Sequence, residues 1–169
     1  MPLLDPDSLP AHLDRLYRAA WALSGSRQDA EDLVQETCVR VLARPRQLRN
    51  EDEIAYLMRV LRNTFLSTKR TASRRPSVIT TPVEDLALPD SGTAFKPDAA
   101  YEATEVYATI AALPEDFRLA LVAVDIVGLS YREAAKVLAT KEATITTRLY
   151  RARRQVARAL SSNAAKIDD

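Results

Sequence analysis

The apolar positions of this chain return every three or four residues from near its start, a spacing that predicts helices. Over AHLDRLYRAAWALS, residues 11–24, Leu13, Leu16, Tyr17, Ala20 and Leu23 share one stripe. Gly25 is a natural stop, and Ser26 or Asp29 a natural start for the next element. A second helix is predicted from Asp29 to Arg44, turning Ala30, Leu33, Val34, Thr37 and Val41 inward, and Pro45 ends it. A third, from about Glu51 to Lys69, buries Ile54, Leu57, Met58, Leu61 and Phe65.

The period is then lost. Residues 77–100 carry Pro82, Pro89 and Pro97 with no sustained pattern, a stretch ordinary between domains and improbable inside one. They read as a flexible, acidic linker between two small helical domains, residues 1–76 and 101–169. Helical spacing resumes in YEATEVYATIAAL (101–113), breaks at Pro114, resumes in EDFRLALVAVDIV (115–127) and stops at Gly128.

Two further helices follow with hardly a gap. Ser130 and Glu133 make a capping box, in which hydroxyl and carboxylate each satisfy a main-chain amide that the first turn leaves open. This helix runs to about Leu138 with Ala134, Ala135 and Leu138 inward, and residues 139–142 turn the chain. The last helix spans roughly Ala143 to Leu160. On it Ile145, Leu149, Ala152, Val156 and Leu160 form one apolar stripe. Thr147, Arg151, Arg154 and Arg158 fall on the opposite side, flanked by Tyr150 and Thr144. Two helices joined by a short turn, the second basic on its free face, is the arrangement that sets a helix into the DNA major groove. There Arg bridges a guanine edge or neutralises phosphate, and hydroxyls reach bases or backbone.

Charge sharpens this picture. The net charge is only +1, yet the basic residues cluster. Arg148 to Arg158 holds five arginines and no acid. RVLRNTFLSTKRTASRRP (59–76) holds Arg59, Arg62, Lys69, Arg70, Arg74 and Arg75, again without an acid, interleaved with Asn63, Thr64, Ser67 and Thr68. Two tethered basic patches suit two contacts on one polyanion, because linkage raises the effective concentration for the second. Asp29, Glu31, Asp32 and Glu36, with Gln35, form an acidic face instead. DNA repels such a surface, so either a protein partners it or its acids serve only the helix macrodipole.

Other chemistry finds little support. No Gly-rich phosphate loop, paired metal-ligand spacing or nucleophile with a base stands in the sequence, so neither an enzyme nor a cofactor or metal site is expected. His12 stands by itself, and Cys38 reads as a small buried residue rather than a redox sensor. No apolar run approaches the roughly 20 residues that cross a bilayer, and the N-terminus lacks a secretory pattern, which suggests a cytoplasmic protein.

The segments DAEDLVQET (29–37), YLMRVLRNTF (56–65), SRRP (73–76), ALPEDFR (112–118), GLSYREAAKVL (128–138) and ATITTRLYRAR (143–153) resemble, in that order, the extracytoplasmic-function (ECF) sigma factors of bacteria. The likeness covers about residues 11–76 and 101–160. It implies an all-α fold, sigma region 2 and sigma region 4 with a helix-turn-helix, and a promoter-specificity subunit of RNA polymerase with no catalysis of its own. It implies that Asp32, Gln35 and Glu36 dock on the clamp helices of the largest polymerase subunit. It places Arg62, Asn63, Ser67, Lys69, Arg70, Arg74 and Arg75 at the promoter's −10 element. Thr144, Thr146, Thr147, Tyr150, Arg151 and Arg154 would lie at the −35 element. The linker would thread towards the RNA exit path, and an anti-sigma protein is an expected partner. Ala139, Lys141 and Ala143 stand where the family usually has Gly or Pro around the last turn. Ser67 stands where Asp or Asn is common, and Thr146 where a basic residue is common. A stand-alone helix-turn-helix regulator is the alternative; it would need a sensor or dimerisation domain where this chain has its acidic helix.

Overall fold

The structure, a computed structural model, describes residues 4–44, 48, 52–74 and 97–167, with backbone alone for 97–102 and 167. The described residues form α1 (Leu9–Ser24, entered through a 3-10 turn at Pro6–Ser8), α2 (Arg27–Ala43), α3 (Glu53–Arg74), α4 (Pro97–Ala111), α5 (Glu115–Leu121), α6 (Tyr131–Val137) and α7 (Glu142–Ile167). A π-helical turn, Val122–Ile126, continues α5. Most of the proposed linker, and Arg75, lie outside the described residues.

Local chemistry sets the helix ends. The Asp29 main-chain N–H donates to the Ser26 hydroxyl at 3.3 Å, so Ser26 is the cap that starts α2. Gly25 closes α1 with φ 78° and its N–H on the Trp21 carbonyl at 2.7 Å. α3 runs to Arg74, past the expected end at Lys69, because nothing in Arg70-Thr-Ala-Ser-Arg74 breaks a helix. Ser73 and Arg74 are therefore helical. α7 continues past Leu160 to Ile167 for the same reason, since Ala164 and Ala165 sustain it. α4 begins at Pro97, inside the stretch read as linker; proline suits the first turn of a helix.

The first domain packs α1, α2 and α3 around Leu16, Leu23, Leu57, Met58 and Leu61, all fully buried. The expected inner face holds except at Leu13, which is 37% exposed. Two buried hydroxyls are satisfied within their own helices: Thr37 donates to the Leu33 carbonyl at 2.7 Å and Thr64 to Val60 at 2.8 Å. Cys38 is half-buried, and burial raises its thiol pKa. The second domain wraps α5, its π turn and α6 against Ile145, Leu149 and Ala152 of α7.

The two domains also pack on each other. α1 lies against α4, α5 and the π turn, and α3 against α6, so buried side chains run from one domain into the other without a break. The Trp21 and Tyr107 rings meet with centroids 4.8 Å apart. A Cβ at Gly25 would stand 2.9 Å from that of Ala111, so both the left-handed φ and the approach of α4 demand glycine. Local spacing carries no signal for this packing, since Trp21 and Tyr107 lie on separate helices and meet only through the fold.

Candidate nucleic-acid and protein interfaces

α7 is fixed by its apolar stripe. Ile145, Leu149 and Ala152 are fully buried, and Val156 and Leu160 half-buried. The turn before α7 is a Schellman closure, with the Thr140 N–H on the Ala135 carbonyl at 2.9 Å. It places Ala139 in the left-handed region at φ 51° without glycine. The capping box forms as expected: the Glu133 N–H donates to the Ser130 hydroxyl at 3.1 Å, and the Ser130 N–H to the Glu133 carboxylate at 2.7 Å. The Ser130 amide, more than its hydroxyl, holds the Glu133 carboxyl below the usual range.

The five arginines of α7 divide in two. Arg153 forks onto Asp125 of the π turn at 2.7 and 2.9 Å, and this bond raises its pKa further. Arg148 approaches Asp116 at 3.4 Å. At about 100° per residue these two occupy opposite flanks of the apolar stripe. The helix itself is acid-free in this stretch, but α5 and the π turn supply the acids, so the flanks are neutralised. Arg151, Arg154 and Arg158 are exposed on the outer face and make no ion pair among the described residues. Tyr150, 62% exposed, accepts from Arg154 at 3.3 Å. Thr146 and Thr147 are exposed and donate to the Glu142 and Ala143 carbonyls, both at 3.1 Å, while Thr144 is half-buried.

α3 separates the residues expected at the −10 element. Asn63, Ser67, Arg70 and Arg74, spaced 4, 3 and 4 apart, share one face. Arg62 and Lys69 lie about a quarter-turn away, beside the core. Arg62 donates to Asn63 at 3.1 Å, but its Nε is buried with no hydrogen-bond partner. Lys69 bonds Glu115 of the other domain at 2.9 Å and stands 5.5 Å from the Phe65 ring centroid.

On α2, Asp32, Gln35 and Glu36 are exposed at i, i+3 and i+4, one face of the helix. Glu36 pairs with Arg40 at 2.9 Å. Val39 (61% exposed) and Leu42 (49%) extend this face with apolar surface, which the sequence reading missed although the same spacing continues through them. Asp32 and Glu36 also line a cleft of about 890 Å³ floored by Leu23, Leu33 and Phe65 and closed by Lys69 and Arg118. Arg118, also unforeseen, donates to the Leu23 carbonyl of α1 and to the Leu113 carbonyl, both at 2.9 Å, and burial lowers its pKa.

Among the described residues no group of three or more His, Cys, Asp or Glu could hold a metal ion. No helix among them is long and apolar enough to cross a membrane.

Comparison with known proteins agrees with this geometry. Residues 10–75 match sigma-70 region 2, and residues 103–156 match sigma-70 region 4. The chain is 34% identical over 172 residues to the ECF RNA polymerase sigma factor EcfG of Rhodopseudomonas palustris, covering 98% of this chain and 91% of that one. It is 32% identical over 160 residues to the ECF RNA polymerase sigma factor SigE of Mycolicibacterium smegmatis, covering 92% of this chain but 61% of the longer relative. Among solved structures it is similar to the sigma factor RpoE bound to the anti-sigma factor NepR from Bartonella quintana. That match has a TM-score of 0.70 and 25% identity, over 92% of this chain and 95% of that one. CnrH in complex with the cytosolic domain of CnrY shares the fold, with a TM-score of 0.67 and 24% identity over 92% and 86%.

Proposed function

This chain belongs to the ECF RNA polymerase sigma factors, and from that premise we propose that it binds core polymerase and directs initiation by holding promoter DNA at two elements. Residues 1–76 take the polymerase and the −10 element, residues 101–169 the −35 element, and residues 77–100 join them. The single observation that carries this reading is the outer face of α7, where Thr147, Tyr150, Arg151 and Arg154 are exposed together opposite a buried stripe.

In this reading α7 enters the major groove with Arg151 and Arg154 on bases or phosphates, and Thr144, Thr146 and Thr147 along its entry. Asn63, Ser67, Arg70, Arg74 and Arg75 contact the −10 strand, where a positive groove and a side pocket suit an extruded base. Arg62 and Lys69 sit at the margin of that surface. Asp32, Gln35 and Glu36 dock on the clamp helices, and Val39 and Leu42 add apolar contact there. An anti-sigma protein is the expected inhibitor, and the protein works beside polymerase in the cytoplasm. It supplies recognition rather than catalysis, so no cofactor is assigned.

In vitro transcription with core polymerase and a genomic promoter library tests the function; no initiation above core alone would refute it. The docking face has its own test. Glu36→Arg lies on an exposed surface, so the fold should persist while association with core falls by at least tenfold in a pull-down. Unchanged association would remove Glu36 from the interface.

A further inference from the structure

On α7 the cations stand well back from the end that leads into a groove. In a helix-turn-helix the first residues of the second helix meet the base edges. Across residues 142–147 the one charged side chain is Glu142, an acid, and guanine's two major-groove acceptors repel a carboxylate. At about 100° per residue, Ala143 and Thr147 lie nearest the line opposite the buried stripe, and both are exposed. Arg151, Arg154 and Arg158 follow on that face only from the third turn onward. Arg148, nearer the entry, is drawn to Asp116 at 3.4 Å.

We infer that the entry of α7 reads thymine through its C5 methyl group, with Ala143 and Thr147 as the specificity-determining residues. This rests on the sigma-factor reading above and names the base that the helix selects. Thr147 donates its hydroxyl hydrogen to the Ala143 carbonyl at 3.1 Å, and Thr146 donates to the Glu142 carbonyl at the same distance. A hydroxyl has one hydrogen to give, so neither threonine keeps a side-chain donor for guanine O6 or N7. What each still offers is a γ-methyl and a lone pair, and Ala143 offers a methyl alone. In the major groove the T·A pair alone shows a methyl, and the adenine N6 amino group beside it is a donor that a lone pair accepts. A C·G pair gives an amino donor without the methyl and adds guanine's acceptors, for which this edge has no side-chain donor. Covering a methyl removes apolar surface from water, so the contact discriminates by about fourfold for each methyl. The outer face of α7 is divided along its length, with methyl recognition at the entry and a cationic grip from Arg151 onward.

The test uses the full chain assembled with core polymerase. A promoter library randomised over the −35 element is selected for initiation. Each thymine of the selected element, on either strand, is then replaced singly by deoxyuridine, which lacks only the methyl. At one or more of these thymines the replacement should lower promoter affinity by about fourfold. Thr147→Ser keeps the hydroxyl and drops the methyl, so its holoenzyme should bind thymine and deoxyuridine alike at one such position. Thr147→Val keeps the branch and drops the hydroxyl, and should discriminate as the parent chain does. Position 147 is exposed, so both chains should fold. Full discrimination in the serine chain overturns the inference whatever the valine chain does. Loss of discrimination in the valine chain overturns it as well, since the lone pair would then be the reader. A selected element without thymine, or one in which deoxyuridine costs nothing anywhere, also overturns it and leaves the sigma function standing. Failure of every library member to initiate would refute the sigma reading, and this inference with it.

Discussion

The basic end of α3 and the outer face of α7 look alike in sequence, each a run of cations without an acid, yet the fold presents them differently. On α7 the apolar stripe and the Arg153–Asp125 fork fix the helix, and Arg151, Arg154 and Arg158 project into solvent. On α3 the cations divide: Arg70 and Arg74 are exposed, while Lys69 is tied to Glu115 and Arg62 is partly buried. The difference comes from what packs behind each helix. α7 is backed by its own domain, so its outer face is complete in the free chain. The end of α3 borders the other domain, so Glu115 of α5 ties up one of its cations, Lys69. Two similar charge patterns thus make one surface backed by its own domain and one shared with a neighbouring domain.

The largest way to break this contrast is to unseat α7. Leu149→Ala removes a fully buried side chain and should cost about 2–5 kcal/mol of unfolding free energy in a denaturant titration. A loss below about 1 kcal/mol would mean that α7 is not anchored through that stripe. Arg151→Ala should weaken a −35-dependent promoter by about 1–3 kcal/mol, roughly five- to 150-fold, without moving the melting temperature. Arg153→Ala should do the reverse, lowering stability by up to about 1 kcal/mol with little direct effect on base preference. Equal effects of the two on promoter preference would erase the division of α7 into outer face and flanks.

Smaller effects sharpen the same comparison at the entrance to α7. Glu133 has a folded-state pKa below its unfolded value, so its capping contribution is present above the unfolded pKa and lost as pH falls through the lower folded one. Stability should therefore decline from about pH 4.3 downward, and Glu133→Gln should flatten part of that decline in a melting series. Ala139→Gly relieves a left-handed alanine but loosens the unfolded chain, for a net gain of about 0.5 kcal/mol. A loss of stability would show that the alanine methyl packs more than the strain costs.

Much of this was legible in the residues themselves. The stripe Ile145, Leu149, Ala152 and the capping box Ser130–Glu133 follow from local spacing, and local spacing is what a sequence displays. The acids that neutralise Arg148 and Arg153 lie on α5 and the π turn, brought near only by folding, so the count of five arginines overstated the exposed charge. Arg118 gave no hint of reaching α1, because its partner, the Leu23 carbonyl, is main chain and has no side-chain signature. Helix ends slipped where the chain lacked punctuation, at Arg70 to Arg74 and beyond Leu160.

The pairing of Arg148 and Arg153 with aspartates also bears on how the protein moves through a genome. Each cation spent internally is one phosphate fewer to grip, so fewer condensed counterions are released when α7 meets an arbitrary sequence. Nonspecific residence on the chromosome should be brief and only weakly sensitive to ionic strength. A subunit so built searches less on its own account and arrives at its sites chiefly as a passenger of the enzyme it guides.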